Sequence, residues 1–345
     1  MGFYRFILFL FFLSCTPLWS SPAEADTEKS RPTVALMSSS SAIDETMIAP
    51  MKSMLEDAGY EVIDRYFQQI ISDFGYVNTD RERARQLLDA LLDDSVDIIW
   101  FMRGGGGAMN LMPYLDQRKP DLANARHKYI IGYSDVTAIH SWLNEQLGWP
   151  SIHGVLAALN QQMAALGISS STINDLEPLP WIPDIAKQGL AYTSFQPLNQ
   201  AARDGVTGEL RGGNMTLLMA AISTPWEPDY AEKLLFLEDV NVSPRQLDRA
   251  LQQLLFKKDL QVNGIIFGQF FPLDASDAER LLYKSVIRRF AERFGRPVFY
   301  FPSVGHGRHN RPLLLGQTAA VGCTAESDYC TMTQPPVVEW TAFQK

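Results

Sequence analysis

Three segments of the chain, each at the end of a predicted apolar strand, carry the residue types that acyl transfer needs. In residues 130–137 (IIGYSDVT), Ser134 stands where a strand stops and a helix begins, two residues after Gly132. Such a turn lifts a hydroxyl above a sheet and aims a helix N-terminus at it. The segment departs from GxSxG, and local sequence equally allows Ser134 to be a helix N-cap. A serine hydroxyl is a weak nucleophile, so it needs a base, and the base needs a carboxylate to hold its tautomer. His306 lies between Gly305 and Gly307 after the apolar run 298–301, with His309 as its competitor. His127, His140 and His153 sit in or beside predicted core elements and read as packed side chains. Glu238 and Asp239 follow the apolar run 234–237, where a carboxylate reaches a cleft or, equally, solvent. The chain order serine, acid, histidine is shared with other hydrolases, and three weak signals at three strand ends reinforce one another. Gly104, Gly105, Gly106 and Gly107 follow another predicted strand and precede a helix at 108–114, which lets backbone N–H groups face an anion. The run is neither GxGxxG nor GxxxxGK[ST], so it does not read as a nucleotide site.

The elements that position these residues alternate. Strands are expected at 33–37, 60–63, 96–101 and 128–133, with helices at 43–59, 80–93 and 136–147. Strands alternating with helices predict an α/β fold with a parallel sheet. Between 161 and 204 the periodicity fades and Pro178, Pro180, Pro183 and Pro197 interrupt it, which reads as a linker or lid. A second α/β unit follows, with strands at 234–237 and 264–268 and helices at 243–256 and 277–294. The expected organisation is a signal peptide over 1–25, a nucleophile domain over 32–160, the linker over 161–204, a domain carrying acid and base over 205–325, and a tail over 326–345.

The chain has 345 residues, 46% of them hydrophobic, and a formal net charge of -9. It can bury a core, and its acidic balance argues against a nucleic-acid partner. The run 6–13 (FILFLFFL), preceded by Arg5 and followed by Ala23-Glu24-Ala25, reads as a secretory signal peptide. The alternatives are a retained anchor or a lipoprotein acylated at Cys15. Cleavage after residue 25 leaves no membrane span and two cysteines, Cys323 and Cys330, which an oxidising compartment such as the periplasm would pair. Two unrelated buried thiols are the alternative. With three Cys and five His scattered along the chain, no CxxC and no HExxH, the sequence offers no metal ligand set, and no cofactor is expected.

Taken together, the segments resemble the LD-carboxypeptidase family of serine peptidases, which also holds the microcin C immunity peptidases. The residues carrying the resemblance are 103–107 (RGGGG), 132–137 (GYSDVT), 152–154 (IHG), 208–217 (GELRGGNMTL), 235–240 (LFLEDV) and 305–316 (GHGRHNRPLLLG). The resemblance implies that Ser134 is the nucleophile, His306 the base and Glu238 its orienting acid, with an oxyanion hole from the N–H groups of Gly105 and Asp135. It also implies a flavodoxin-like N-terminal domain, a smaller C-terminal α/β domain, a cleft between them and a homodimer. The expected activity is release of the terminal D-alanine from peptidoglycan stem tetrapeptides. The rival readings are a microcin-type immunity peptidase and a non-catalytic periplasmic binding protein. Three positions depart from the family pattern: Gly106 replaces an aromatic, Val155 a proline, and Asn241 an acid. The first predicts a roomier pocket.

Overall fold

Continuous apolar runs, rather than alternating ones, mark strands buried on both faces. In the computed structural model, which describes residues 1–2, 31–72, 74–154, 182–307 and 309–337, three such runs (the first, third and fourth strands) and two shorter strands form the parallel part of the first sheet. They are β1 (Thr33–Met37), β2 (Glu61–Ile63), β3 (Ile98–Phe101), β4 (Tyr129–Gly132) and β5 (Ser151–His153). All pair in parallel, in the order β5-β4-β3-β1-β2. This is the flavodoxin-like order, and its switch point lies between β1 and β3, where chain connections leave a crevice at the carboxyl ends. Helices α1 (Ile48–Asp57), α2 (Asp80–Leu92), α3 (Met112–Leu122) and α4 (Thr137–Leu147) cover the two faces. Phe101, Ile130 and Ile139 belong to one core, and Leu36, Trp100 and Leu55 to the other. The first helix is shorter than its apolar spacing suggests, because a separate 3-10 turn at Glu45–Met47 precedes it. It ends as expected at Gly59, with Gly59 N–H donating to the Glu56 carbonyl and Tyr60 N–H to the Leu55 carbonyl.

The second half is built differently from the first. After a short helix α5 (Ile182–Gln188), strands β6 (Leu190–Pro197), β7 (Val206–Asn214), β8 (Lys233–Glu238), β9 (Gly264–Phe267) and β10 (Val298–Tyr300) follow. Helices α6 (Met215–Ala221), α7 (Pro244–Phe256) and α8 (Asp277–Arg293) connect them. Both α7 and α8 start with capping boxes, Ser243 with Gln246 and Ser276 with Glu279, each stabilising by about 1 kcal/mol. Strand β11 (Leu313–Leu315) then returns to the first sheet, antiparallel to β5. Its Leu314 joins the first-sheet core while Leu313 and Leu315 join the second core, so one strand is shared by both halves. Strands β12 (Thr318–Cys323) and β13 (Cys330–Gln334) complete a closed barrel in the order β10-β6-β13-β12-β7-β8-β9.

Two spans therefore differ from the sequence expectation. The stretch expected as linker or lid supplies β6, and the expected tail supplies β13, which pairs with it. β6 buries only Phe195 deeply, so its sequence shows no apolar run. In β13 the alternation of buried Cys330, Met332 and Gln334 is present but short. Cys323 and Cys330 are cross-strand partners, with their sulfurs at a bonding distance of 1.94 Å. The expected signal peptide lies outside the described residues, among which no helix is long and apolar enough to cross a membrane.

Candidate active site

Ser134 sits immediately beyond the carboxyl end of β4, one residue after the extended Tyr133, with φ of 63°. A non-glycine residue in this region costs on the order of 1 kcal/mol and persists only where the surroundings impose it. Ser134 opens a 3-10 turn (Ser134–Val136) that runs into α4, and Tyr133 rather than Ser134 occupies the cap position. The N-cap alternative is therefore not what the structure adopts. Close approach of the glycine-rich turn completes the elbow: a Cβ on Gly104 would lie 2.8 Å from the Ser134 Cβ and 3.1 Å from its Oγ. Only a residue without a side chain fits there.

Asp135 secures the elbow from below. Its buried carboxylate accepts from the Ser40 hydroxyl at 2.6 Å and from the Ala108 N–H at 2.9 Å. It thus ties the ends of β1 and β4 to the turn after β3. Burial raises its pKa, an effect opposed by these hydrogen bonds and by the Arg83 guanidinium. The backbone N–H of Asp135 lies in the first helical turn, where no intrahelical acceptor exists. The Gly104 carbonyl accepts from Ser41 N–H at 3.2 Å. In a trans peptide the N–H of Gly105 then points away from Ser41.

The acid and the histidine come from the barrel. Glu238, the last residue of β8, is fully buried, and its Oε2 lies 2.6 Å from His306 Nδ1. With Nδ1 engaged by the carboxylate, Nε2 is the ring atom available for proton transfer. Gly305 (φ of 111°) makes room for the pair, since a Cβ there would meet Glu238 Oε2 at 2.7 Å. The His306 ring rests against Tyr133, centroids 4.7 Å apart, directly beside the residue that precedes Ser134. His309 has no such carboxylate, and its Nδ1 is buried without a partner among the described residues. Asp239 turns away and braces the backbone instead, accepting from Asn214 Nδ2 at 3.0 Å, Thr216 N–H at 2.9 Å and Thr216 Oγ1 at 2.7 Å. Asn214 stands opposite Glu238 in the β7–β8 register and receives its own backbone support from Thr137 Oγ1 at 2.9 Å. The Asn214–Thr137 hydrogen bond thereby joins the two halves, three residues after Ser134 on one side and opposite Glu238 on the other.

The structure leaves the other histidines outside this pair. His140 is buried with Nε2 2.9 Å from the Gly132 carbonyl, and burial lowers its pKa to about 4. Burial also holds His153 well below the usual range. His127 packs on Trp149 at 4.8 Å. Sequence reasoning misses the supporting roles of Ser40, Tyr133, Asn214 and Thr216, although Tyr133, Asn214 and Thr216 lie inside the motifs quoted above. The room left by Gly106 is not open: a Cβ there would meet the Tyr76 ring at 3.2 Å, so an aromatic from another segment fills it. Val155 lies outside the described residues. Among the described residues no cluster of three or more metal-ligating side chains occurs.

A half-buried serine in a strained elbow, with a carboxylate-backed histidine packed on the residue before it, can support acyl transfer without a metal. Known proteins resemble the chain over both halves. The LD-carboxypeptidase N-terminal domain matches residues 34–154 and the LD-carboxypeptidase C-terminal domain residues 207–321. The chain is 27% identical over 300 residues to the murein tetrapeptide carboxypeptidase of Pseudomonas aeruginosa, covering 84% of this chain and 92% of that protein. It is 24% identical over 242 residues to the microcin C7 self-immunity protein MccF of Escherichia coli, covering 62% and 67% respectively. The crystal structure of muramoyltetrapeptide carboxypeptidase from Oxalobacter formigenes shares its fold, with a TM-score of 0.71 at 24% identity, over 88% of this chain and 98% of that one. With both family domains matched over more than half of its length, the chain belongs to the LD-carboxypeptidase family of serine-type peptidases.

Proposed function

We propose that the protein releases the terminal D-alanine from peptidoglycan stem tetrapeptides through an acyl-enzyme on Ser134. The observation that carries the reading is the 2.6 Å contact between Glu238 and His306 beside the elbow that holds Ser134. In acylation, His306 Nε2 takes the hydroxyl proton as Ser134 Oγ attacks the carbonyl carbon of the scissile amide. The oxyanion is met by the N–H groups of Gly105 and Asp135, each worth about a hundredfold or more in rate. His306 then gives the proton to the leaving nitrogen, the C–N bond breaks and D-alanine departs. Water, deprotonated by the same histidine, hydrolyses the ester and returns Ser134. Glu238 holds the imidazole throughout.

The substrate would be met outside the cytoplasm, because the apolar N-terminal run with its small-residue boundary supports export. The opposed Cys323 and Cys330 fit an oxidising compartment, where we expect a disulfide. The family resemblance is the ground for expecting a homodimer, which light scattering checks. Incubating the purified mature chain with defined tri-, tetra- and pentapeptide stems, and weighing the products, tests the reading. Loss of one alanine from the tetrapeptide alone is expected. Binding without cleavage would instead support a binding protein, and cleavage of aminoacyl nucleotides in place of stems an immunity peptidase.

A further inference from the structure

Arg103 follows β3 and precedes Gly104, the position where Ser134 leaves no room for a Cβ. Its side chain is exposed, and Nη1 donates to the Ala42 carbonyl at 2.5 Å. Among the described residues no carboxylate pairs with it, whereas the better buried Arg83, Arg126 and Arg211 each have one. Arg83 is further committed to the Ser39 carbonyl at 2.5 Å. Arg103 thus stands just beyond the carboxyl end of β3, one residue before the turn that packs on Ser134, with guanidinium donors to spare.

The chemistry of a C-terminal residue fixes where its carboxylate lies. Only the amide nitrogen and one α-carbon separate the scissile carbonyl carbon from the carboxylate carbon, at most about 4 Å along the bonds. Whatever binds that carboxylate therefore sits close to Ser134. The planar fork of an arginine matches a carboxylate with two parallel hydrogen bonds, and its charge persists at any working pH. We propose that Arg103 is a specificity-determining residue that receives the C-terminal carboxylate of the departing amino acid. The inference rests on the carboxypeptidase reading above. The bond to Ala42 holds the fork in place on one edge, which leaves the remaining N–H groups for the substrate.

The test compares wild type, Arg103→Gln and Arg103→Lys on a tetrapeptide stem and on its C-terminal amide, with Ser134 labelling by a fluorophosphonate as a second readout. For Arg103→Gln, kcat/KM on the acid should fall about a hundredfold, mostly through KM, as expected when a charged contact is lost. The amide rate should stay within about threefold of wild type, so the preference for the acid collapses. Arg103→Lys, which keeps charge without the fork, should fall between. Parallel loss on acid and amide, or no loss on the acid, overturns the assignment. A wild-type protein that cuts neither peptide overturns the substrate reading instead. Arg103 is then judged by labelling: N-acetyl-D-alanine, but not its amide, should protect Ser134 in wild type and not in Arg103→Gln, and equal protection in both overturns it.

Discussion

Replacing Glu238 by Gln tests the proposed chemistry most directly, because it changes charge while keeping shape in a fully buried position. In the native geometry Oε2 lies 2.6 Å from His306 Nδ1, close enough for the carboxylate to accept a hydrogen bond from Nδ1–H and to stabilise the imidazolium formed during attack. At a charge separation of about 4 Å and an effective dielectric of about 20, that stabilisation is about 4 kcal/mol, or roughly a thousandfold in rate. A glutamine amide can also donate to Nδ1, which places the ring proton on Nε2 and removes the base altogether. Together the two effects predict a fall in kcat of about 10³ to 10⁴, with KM little changed. Stability should not suffer, since the substitution removes a buried charge and leaves the volume nearly constant. The assay is steady-state release of alanine from a tetrapeptide stem at about pH 7.5, with urea unfolding as the control for folding. A Glu238→Gln protein that retains kcat within about tenfold of wild type would refute the assigned role of the carboxylate.

Ser134→Ala should abolish turnover while the protein stays folded, and His306→Ala should fall about as far; His309→Ala should keep most of the activity, and the reverse order for the two histidines would transfer the base to His309. Stability should decline on acidification, because His140 stays neutral in the fold down to about pH 4 while in the unfolded chain it takes up a proton below its ordinary pKa of 6.5. The sign follows from proton uptake: between these values the unfolded state binds more protons, so stability rises with pH across the window and is fully present above it. From about pH 7 to about pH 5 the loss from His140 is about 2 kcal/mol by urea unfolding, and an unchanged slope in His140→Gln would show that another group is responsible. Cys323 and Cys330 should show no free thiol after extraction from an oxidising compartment, and reduction should cost only about 2 kcal/mol because few residues lie between them. Two titratable thiols at these positions in freshly extracted protein would contradict the disulfide.

Local sequence dictates which residues are available to the site and the alternation that builds the first sheet. Val34, Ile99, Ile130 and their neighbours are buried on both faces, so their apolar runs are continuous and legible without any partner strand. Ser134, Glu238 and His306 are legible because each follows or ends such a run, and a strand end is where a side chain leaves the core. What those residues do to one another depends on the folded chain. Nothing local distinguishes Glu238 from Asp239, or His306 from His309; only the direction in which β8 ends and the loop after β10 returns brings one member of each pair together. Strand β6 is hidden in the sequence for a related reason, since its polar residues are satisfied by pairing with β10 and β13 rather than by burial. The space at Gly106 shows the same limit: a missing side chain predicts a cavity in sequence, but the Tyr76 ring, from a distant part of the chain, packs into it. Strand composition is set by what each strand buries, and that is local; the pairing of distant polar groups is set by how the two halves close on each other, which only the folded chain specifies.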